Sequence, residues 1–78
     1  MAGRLRLQFG NRLKSVRLQR HLTQEQFAEL IGISVDFLSL IERGINAPSF
    51  ETIEQMADRL HVPIALLFTF DEVSRQAR

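Results

Sequence analysis

The sequence predicts a compact all-α domain of about five helices, and three observations support this fold class. Apolar residues recur at three- and four-residue spacings, the pattern of amphipathic helices, in several separate stretches. Hydroxyl residues suited to helix N-caps precede three of these stretches, at Thr23, Ser34 and Ser49. No stretch shows the alternation of a half-buried strand, and 78 residues are enough for one domain with a small core.

The composition argues against several classes of function. The chain has no cysteine and only two histidines, His21 and His61, so we expect no disulfide, no metal site and no cofactor. It has no nucleophile with a nearby base and no glycine-rich phosphate loop, so we assign no catalytic residue and do not expect an enzyme. No apolar run is long enough to span a membrane, and the N-terminus lacks the apolar core of a signal peptide. A cytoplasmic protein without a membrane partner is therefore expected.

Positive charge is concentrated at the N-terminus. Residues 1–21 carry six basic side chains and no acid, whereas residues 22–78 carry four arginines and nine carboxylates, so the two segments stand at +6 and −5. The basic segment is a candidate surface for phosphate groups. The alternative is a charged helix that is merely solvated.

The first element is a basic, irregular arm of residues 1–8, in which Arg4 and Arg6 are available to a phosphate or a groove. A first helix follows from Phe9 to about Arg20, because Phe9, Leu13 and Val16 lie at i, i+4 and i+7. Arg17 continues this apolar stripe, an unusual position for a charge unless a carboxylate lies opposite it.

Residues 24–43 predict two short helices joined by a tight turn. Thr23 and Gln26 form the capping box that starts the first of them, Gly32 closes it with a left-handed residue, and Ser34 caps the second. The inward stripe of the first helix consists of Phe27, Leu30 and Ile31.

The second of these helices has one inward side, formed by Leu38 and Ile41, and one side that remains available for binding. The outward side consists of Asp36, Ser39, Leu40 and Arg43. A small Ala28, Gly32 four positions later and Leu38 six further on allow two helices to cross closely. This combination is typical of a DNA-binding helix-turn-helix, whereas an ordinary amphipathic pair would explain only the apolar residues.

The remaining elements complete the core. After the cap Ser49, a fourth helix has an apolar stripe of Phe50, Ile53, Met56, Ala57 and Leu60. Pro63 suits the first position of a fifth helix that runs from Ile64 to about Phe68. We expect residues 71–78 to form a flexible tail, which leaves residues 9–70 as the domain.

Four segments resemble the lambda repressor and Cro-like family, also called the xenobiotic-response-element type: LTQEQFAELIGIS, FLSLIERG, NAPSFETIEQMADRL and HVPIALLF. The resemblance extends from about Phe9 to Phe68 and implies a five-helix lambda repressor-like DNA-binding domain. It also implies a structural ion pair between Arg17 and Glu42, which itself falls near the inward side of its helix. The double-stranded DNA contacts that it implies are Gln24, Val35, Asp36, Ser39, Leu40, Arg43 and Asn46. The basic N-terminal segment adds Arg4, Arg6 and Arg12 as expected contacts.

The expected contacts divide by chemistry. Gln24 and Asn46 would bind the DNA backbone, and Arg43 a phosphate or a guanine. Ser39 can donate or accept, while Leu40 and Val35 would lie against a thymine methyl group. Asp36 would accept from a cytosine amino group or, alternatively, only stabilise the positive end of its own helix.

The C-terminal segment is more apolar than one short helix can bury. The family resemblance implies a homodimer that reads a roughly palindromic operator, with an interface formed by Leu66, Leu67, Phe68 and Phe70. The alternative is that Phe68 and Phe70 fold back onto Phe50 and the first helix.

The expected function is a sequence-specific, nucleoid-associated transcriptional regulator, similar in size to restriction-modification controllers and phage regulators. The sequence does not choose between these, nor between activation and repression. The fold fills the chain, so we expect no small-molecule effector. The competing interpretation is an antitoxin-like or adaptor member of the family whose main partner is another protein, favoured by the acidic segment and the apolar C-terminus.

Overall fold

The computed structural model describes residues 4–70, and five α-helices form the fold of this range. They are α1 (Arg4–Gln19), α2 (Gln24–Ile31), α3 (Val35–Glu42), α4 (Phe50–Leu60) and α5 (Ile64–Leu67). The predicted all-helical class is therefore confirmed. Within this range no helix is long and apolar enough to cross a membrane.

One hydrophobic core holds the helices together. α1 packs against α3 and α5, while α2 packs against α3 and α4. The largest fully buried side chains come from all five helices: Leu13, Phe27, Ile31, Leu38, Ile41, Met56 and Leu67. Because each helix contributes to one shared core, the position of α3 depends on every other element.

The three predicted caps are present. The Thr23 hydroxyl accepts from the backbone N–H of Gln26 at 3.1 Å, and the Gln26 side chain accepts from the N–H of Thr23 at 2.9 Å. Ser34 and Ser49 accept from the third residue after each of them, at 3.0 and 3.1 Å. Each such cap stabilises its helix by about 1 kcal/mol, so these local signals fix where α2, α3 and α4 begin.

The predicted irregular arm is wrong for the part that the structure describes, since α1 begins at Arg4 rather than Phe9. Leucine, arginine and glutamine are good helix formers, so nothing in residues 4–8 opposes helix formation. Leu7 also lies directly against Gly44 in the loop after α3, which gives the added turns a packing partner. Residues 1–3 of the arm and the predicted tail 71–78 lie outside the described residues.

Two residues predicted for the core are exposed. Phe50 is 81% exposed and Leu30 is 38% exposed. Phe50 is the first residue of α4, and side chains on a helix point back toward its N-terminus, so its ring extends past the end of the helix and away from the core. Pro63 is the N-cap of α5 rather than its first helical residue.

Candidate nucleic-acid interface

The α2–α3 unit has the close crossing that its small residues predict. Gly32 adopts a left-handed conformation with φ of 85°, and the N–H groups of Gly32 and Ile33 both donate to the carbonyl of Ala28, at 2.8 and 3.0 Å. Ala28 and Leu38 are both buried, Leu38 completely. The turn is therefore short and closed by backbone hydrogen bonds, which sets the angle between α2 and α3.

Gln55 of α4 holds the same turn from outside. Its side-chain Nε2 donates to the carbonyl of Ile31 at 2.9 Å and to that of Gly32 at 3.3 Å. These carbonyls are at the end of α2, where no later residue of the helix can bond them. Sequence reasoning missed this role, because an amide on α4 gives no signal of the helix end that it reaches.

Arg17 and Glu42 form the ion pair that the sequence implies. Arg17 donates from Nε to Glu42 Oε2 at 2.7 Å and from Nη2 to Oε1 at 3.0 Å, and the two side chains are only 10% and 3% exposed. Arg17 also donates to the carbonyl of Leu22 at 3.0 Å. The pair thus joins α1, the α1–α2 connection and the end of α3 in a fixed, bidentate geometry.

Gln24 belongs to the same network. Its Nε2 donates to Glu42 Oε1 at 3.0 Å, so this half-buried side chain at the start of α2 is fixed beside the end of α3. Gly10 allows α1 to pack closely against α3, because a Cβ atom at this position would collide with the backbone carbonyl of Ile41. Sequence reasoning missed the role of this glycine, since it lies inside a helical pattern.

The outward side of α3 carries the predicted contacts. Asp36 and Arg43 are exposed, Ser39 and Leu40 are partly exposed, and Val35 is partly buried against the core. Arg43 Nε lies 3.4 Å from the carbonyl of Ser39 within its own helix. Asn46 is exposed in the loop after α3, where its N–H donates to the carbonyl of Leu40 at 3.3 Å.

The basic side chains of residues 4–21 do not form one phosphate-facing surface. Arg12 Nε donates to the carbonyl of Leu66 at 2.8 Å, and Arg20 Nη2 to that of Leu60 at 3.2 Å. Arg12 lies about 200° around α1 from Gly10, the residue that touches α3, so it faces away from the candidate interface. The prediction of Arg12 as a DNA contact stays untested, and its Nε atom bonds a carbonyl at the end of α5.

Three other basic residues of α1 are exposed: Arg4, Arg6 and Lys14. Arg6 and Lys14 each lie about 40° around the helix from Gly10, on the side that faces α3. Sequence reasoning did not select Lys14, because the face of α1 that contacts α3 is set by Gly10 and was not recognised.

The predicted dimer interface is largely occupied within one chain. Leu67 is 0% exposed and belongs to the core, so its assignment to an interface is wrong. The ring of Phe68 lies 5.2 Å from that of Phe9 in α1 and 6.2 Å from that of Phe70. The alternative therefore holds for Phe68, which folds back onto the first helix, but not for Phe50, which remains 81% exposed. Leu66 and Phe70 remain partly exposed.

Helices α2 and α3 are joined by a short closed turn, α3 has one exposed side, and α1, α4 and α5 complete the core around them. This arrangement defines the protein as a helix-turn-helix domain. Residues 13–67, more than half of the chain, match the helix-turn-helix family, and the chain belongs to that family.

Two sequence relatives and one solved structure illustrate the range of similar proteins. The chain is 33% identical over 66 residues to the cryptic phage CTXphi transcriptional repressor RstR of Vibrio cholerae, covering 85% of this chain and 60% of that repressor. A second similarity, 38% over 53 residues, is to the antitoxin PezA of Streptococcus pneumoniae and covers 68% of this chain but 34% of the antitoxin. The restriction-modification controller protein C.AhdI from Aeromonas hydrophila superposes with a TM-score of 0.75 at 32% identity, over 81% of this chain and 96% of C.AhdI.

Proposed function

We propose that this chain is a sequence-specific DNA-binding transcriptional regulator that inserts α3 into the major groove. The observation that carries the proposal is the outward side of α3, which is held by the Arg17–Glu42–Gln24 network while its own polar side chains remain accessible. In helix-turn-helix proteins the second helix of the motif reads base edges. The family match and the similarity to a phage repressor support a regulator rather than an enzyme.

The base contacts would come from the outward side of α3. Arg43 is the strongest candidate, because a guanidinium can bind a guanine through two hydrogen bonds. Ser39 can bond either purine or pyrimidine edges, and Leu40 can contact a thymine methyl group. Val35 is half-buried and makes a smaller contact with DNA than its position on the helix alone would suggest.

The backbone contacts would flank α3. Gln24 is already fixed beside the end of α3 and Asn46 follows that helix in the next loop, so both lie next to the groove-facing surface. Arg4 and Arg6 are exposed at the start of α1 and would add sequence-independent phosphate contacts.

A homodimer would present two α3 helices to two half-sites. Recognition helices in dimeric helix-turn-helix proteins lie about 34 Å apart, one turn of DNA, so the proposed operator is roughly palindromic. A regulator of this kind acts on the nucleoid in the cytoplasm. No small-molecule effector is part of the proposal.

Selection of bound sequences from a random duplex pool tests the proposal. Recovery of a palindrome supports it, and Arg43→Ala should then weaken binding to that sequence by about 10-fold or more, equivalent to at least about 1.4 kcal/mol. The double variant Arg4→Ala/Lys14→Ala, which removes two exposed cations of α1, is the matched control: it should lower affinity for all duplexes and reduce the salt dependence. Recovery of random sequence, or unchanged affinity in both variants, would refute the proposed interface.

The similarity to the antitoxin PezA supports a second candidate, in which the main partner is another protein. That candidate predicts a stable complex with the product of a neighbouring gene. If such a complex forms and the duplex selection recovers no sequence, this function replaces the first.

A further inference from the structure

An apolar groove opens where the start of α1, the α3–α4 loop and the start of α4 meet. Its apolar lining includes Leu5, Phe9, Pro48, Ile53, Phe68 and Phe50 itself, and Arg6 adds the one charged side chain. The groove has a volume of about 130 Å³. A cavity of about 150 Å³ holds one benzene molecule, so this groove has the size of a single aromatic ring.

An exposed aromatic ring stands at the edge of this groove. Phe50 is 81% exposed, more than any other large hydrophobic side chain in residues 4–70, and Leu5 beside it is 57% exposed. An exposed ring next to an apolar groove is a candidate site of association.

We propose that a second copy of this chain covers the groove, with Phe50 of each copy inserted into the groove of the other. This inference rests on the dimer of the proposed function and gives it an interface. A ring and a ring-sized groove lie side by side on one surface, so a single two-fold axis places both rings at once. The interface contains the starts of α1 and α4, the α3–α4 loop, and Phe68 at the end of α5.

The charges at the groove are complementary for the same arrangement. Glu51 directly follows Phe50 and is exposed, and Arg6 lines the groove that receives the partner's ring. Within residues 4–70 the ion pair present is Arg17–Glu42, so neither Arg6 nor Glu51 is engaged in one there. When Phe50 enters the partner's groove, Glu51 arrives beside the partner's Arg6, and the symmetry repeats this pair.

Residues 71–78 of the same chain fit the groove less well. Their sequence, DEVSRQAR, offers Val73 as its one large apolar side chain among five charged or amide residues. A second Phe50 matches both the size and the apolar lining of the groove.

Sedimentation equilibrium tests the proposed interface. Phe50→Ala should raise the dimer dissociation constant by at least about 100-fold, since two buried aromatic side chains are lost per dimer. Its thermal melt should be unchanged when both proteins are compared as monomers, because the ring is outside the core of each chain. Leu18→Ala is the matched control. Leu18 is 52% exposed but lies on the opposite side of α1 from Phe9, so the dimer dissociation constant of this variant should be unchanged.

A charge exchange makes the test specific to contacts between chains. The homodimers of Arg6→Glu and of Glu51→Arg should each be weakened, because like charges then face each other across the interface. An equimolar mixture of the two variants should form a heterodimer in which both ion pairs are restored. No rescue on mixing, an unchanged dimer in Phe50→Ala, or open-ended oligomers would each overturn the proposal. Failure of the DNA selection with this dimer intact would instead refute the proposed function, so the two results are distinguishable.

Discussion

Replacing Arg17 by methionine should destabilise the domain severely. The change leaves the Glu42 side chain 3% exposed and removes both guanidinium bonds, so that Gln24 remains its one hydrogen-bond partner among the contacts described. Breaking a buried pair in this way costs about 3–5 kcal/mol. A domain of 78 residues has a total stability of about 4–12 kcal/mol, so the loss is a third or more of the total in most of that range. At about 4–8 °C per kcal/mol, the melting temperature should fall by at least about 12 °C.

Urea denaturation followed by circular dichroism measures this loss. The double variant Arg17→Met/Glu42→Leu should recover most of the stability, because no unpaired charge is left in the core. Lys14→Met is the matched control on the same helix: Lys14 is exposed, so the change should stay within about 0.5 kcal/mol. A loss below about 1 kcal/mol for Arg17→Met would refute the reasoning, since Glu42 would then have found water or another partner and the pair would not fix α3.

Three further predictions concern the core, the α1–α3 contact and the start of α3. Leu67→Ala should lower the free energy of unfolding by about 2–5 kcal/mol in urea denaturation, because the side chain is completely buried; a stable variant with weakened self-association would contradict this. Gly10→Ala should lower the melting temperature despite the better helix propensity of alanine, since the added Cβ collides with the carbonyl of Ile41. Asp36→Asn should cost about 0.3–1 kcal/mol of stability if Asp36 only complements the helix dipole, and should then raise DNA affinity for all sequences; a change confined to one base pair in binding titrations would show base readout instead.

Local signals predicted most of the fold because local physics decides it. Thr23, Ser34 and Ser49 each accept a hydrogen bond from an N–H three residues later, so their roles as caps can be predicted from the neighbouring sequence. Gly32 is similar, since its left-handed conformation depends on the end of α2 that precedes it. Glu42 was predictable for a different reason: a charge on the inward side of a helix requires a partner, and Arg17 was the charge on the inward side of another.

The features that sequence reasoning missed depend on which helix lies opposite. The stripe of α4 predicts that Phe50 is buried, but its ring lies past the first turn, where no other element covers it. Gly10 and Gln55 act on α3 and on the end of α2, at sequence separations that no local pattern reveals. Arg12 looked available because its acceptor, the carbonyl of Leu66, is 54 residues away.

The same contacts change what the basic N-terminal segment can contribute to DNA affinity. Six cations in residues 1–21 suggest a large phosphate-binding surface, but Arg12, Arg17 and Arg20 are bonded to carbonyl or carboxylate groups of the protein. Since the slope of log affinity against log salt is about −0.9 per phosphate neutralised, six cations would give about −5 for each domain, and the three without these bonds, Arg4, Arg6 and Lys14, about −3. Arg43 would add at most one more. Under the proposed function we therefore expect a domain with so few phosphate contacts, and with acidic Asp36 on the side of α3 proposed to face the major groove, to bind one half-site weakly. Tight binding to the proposed operator would then require two copies of α3 held together.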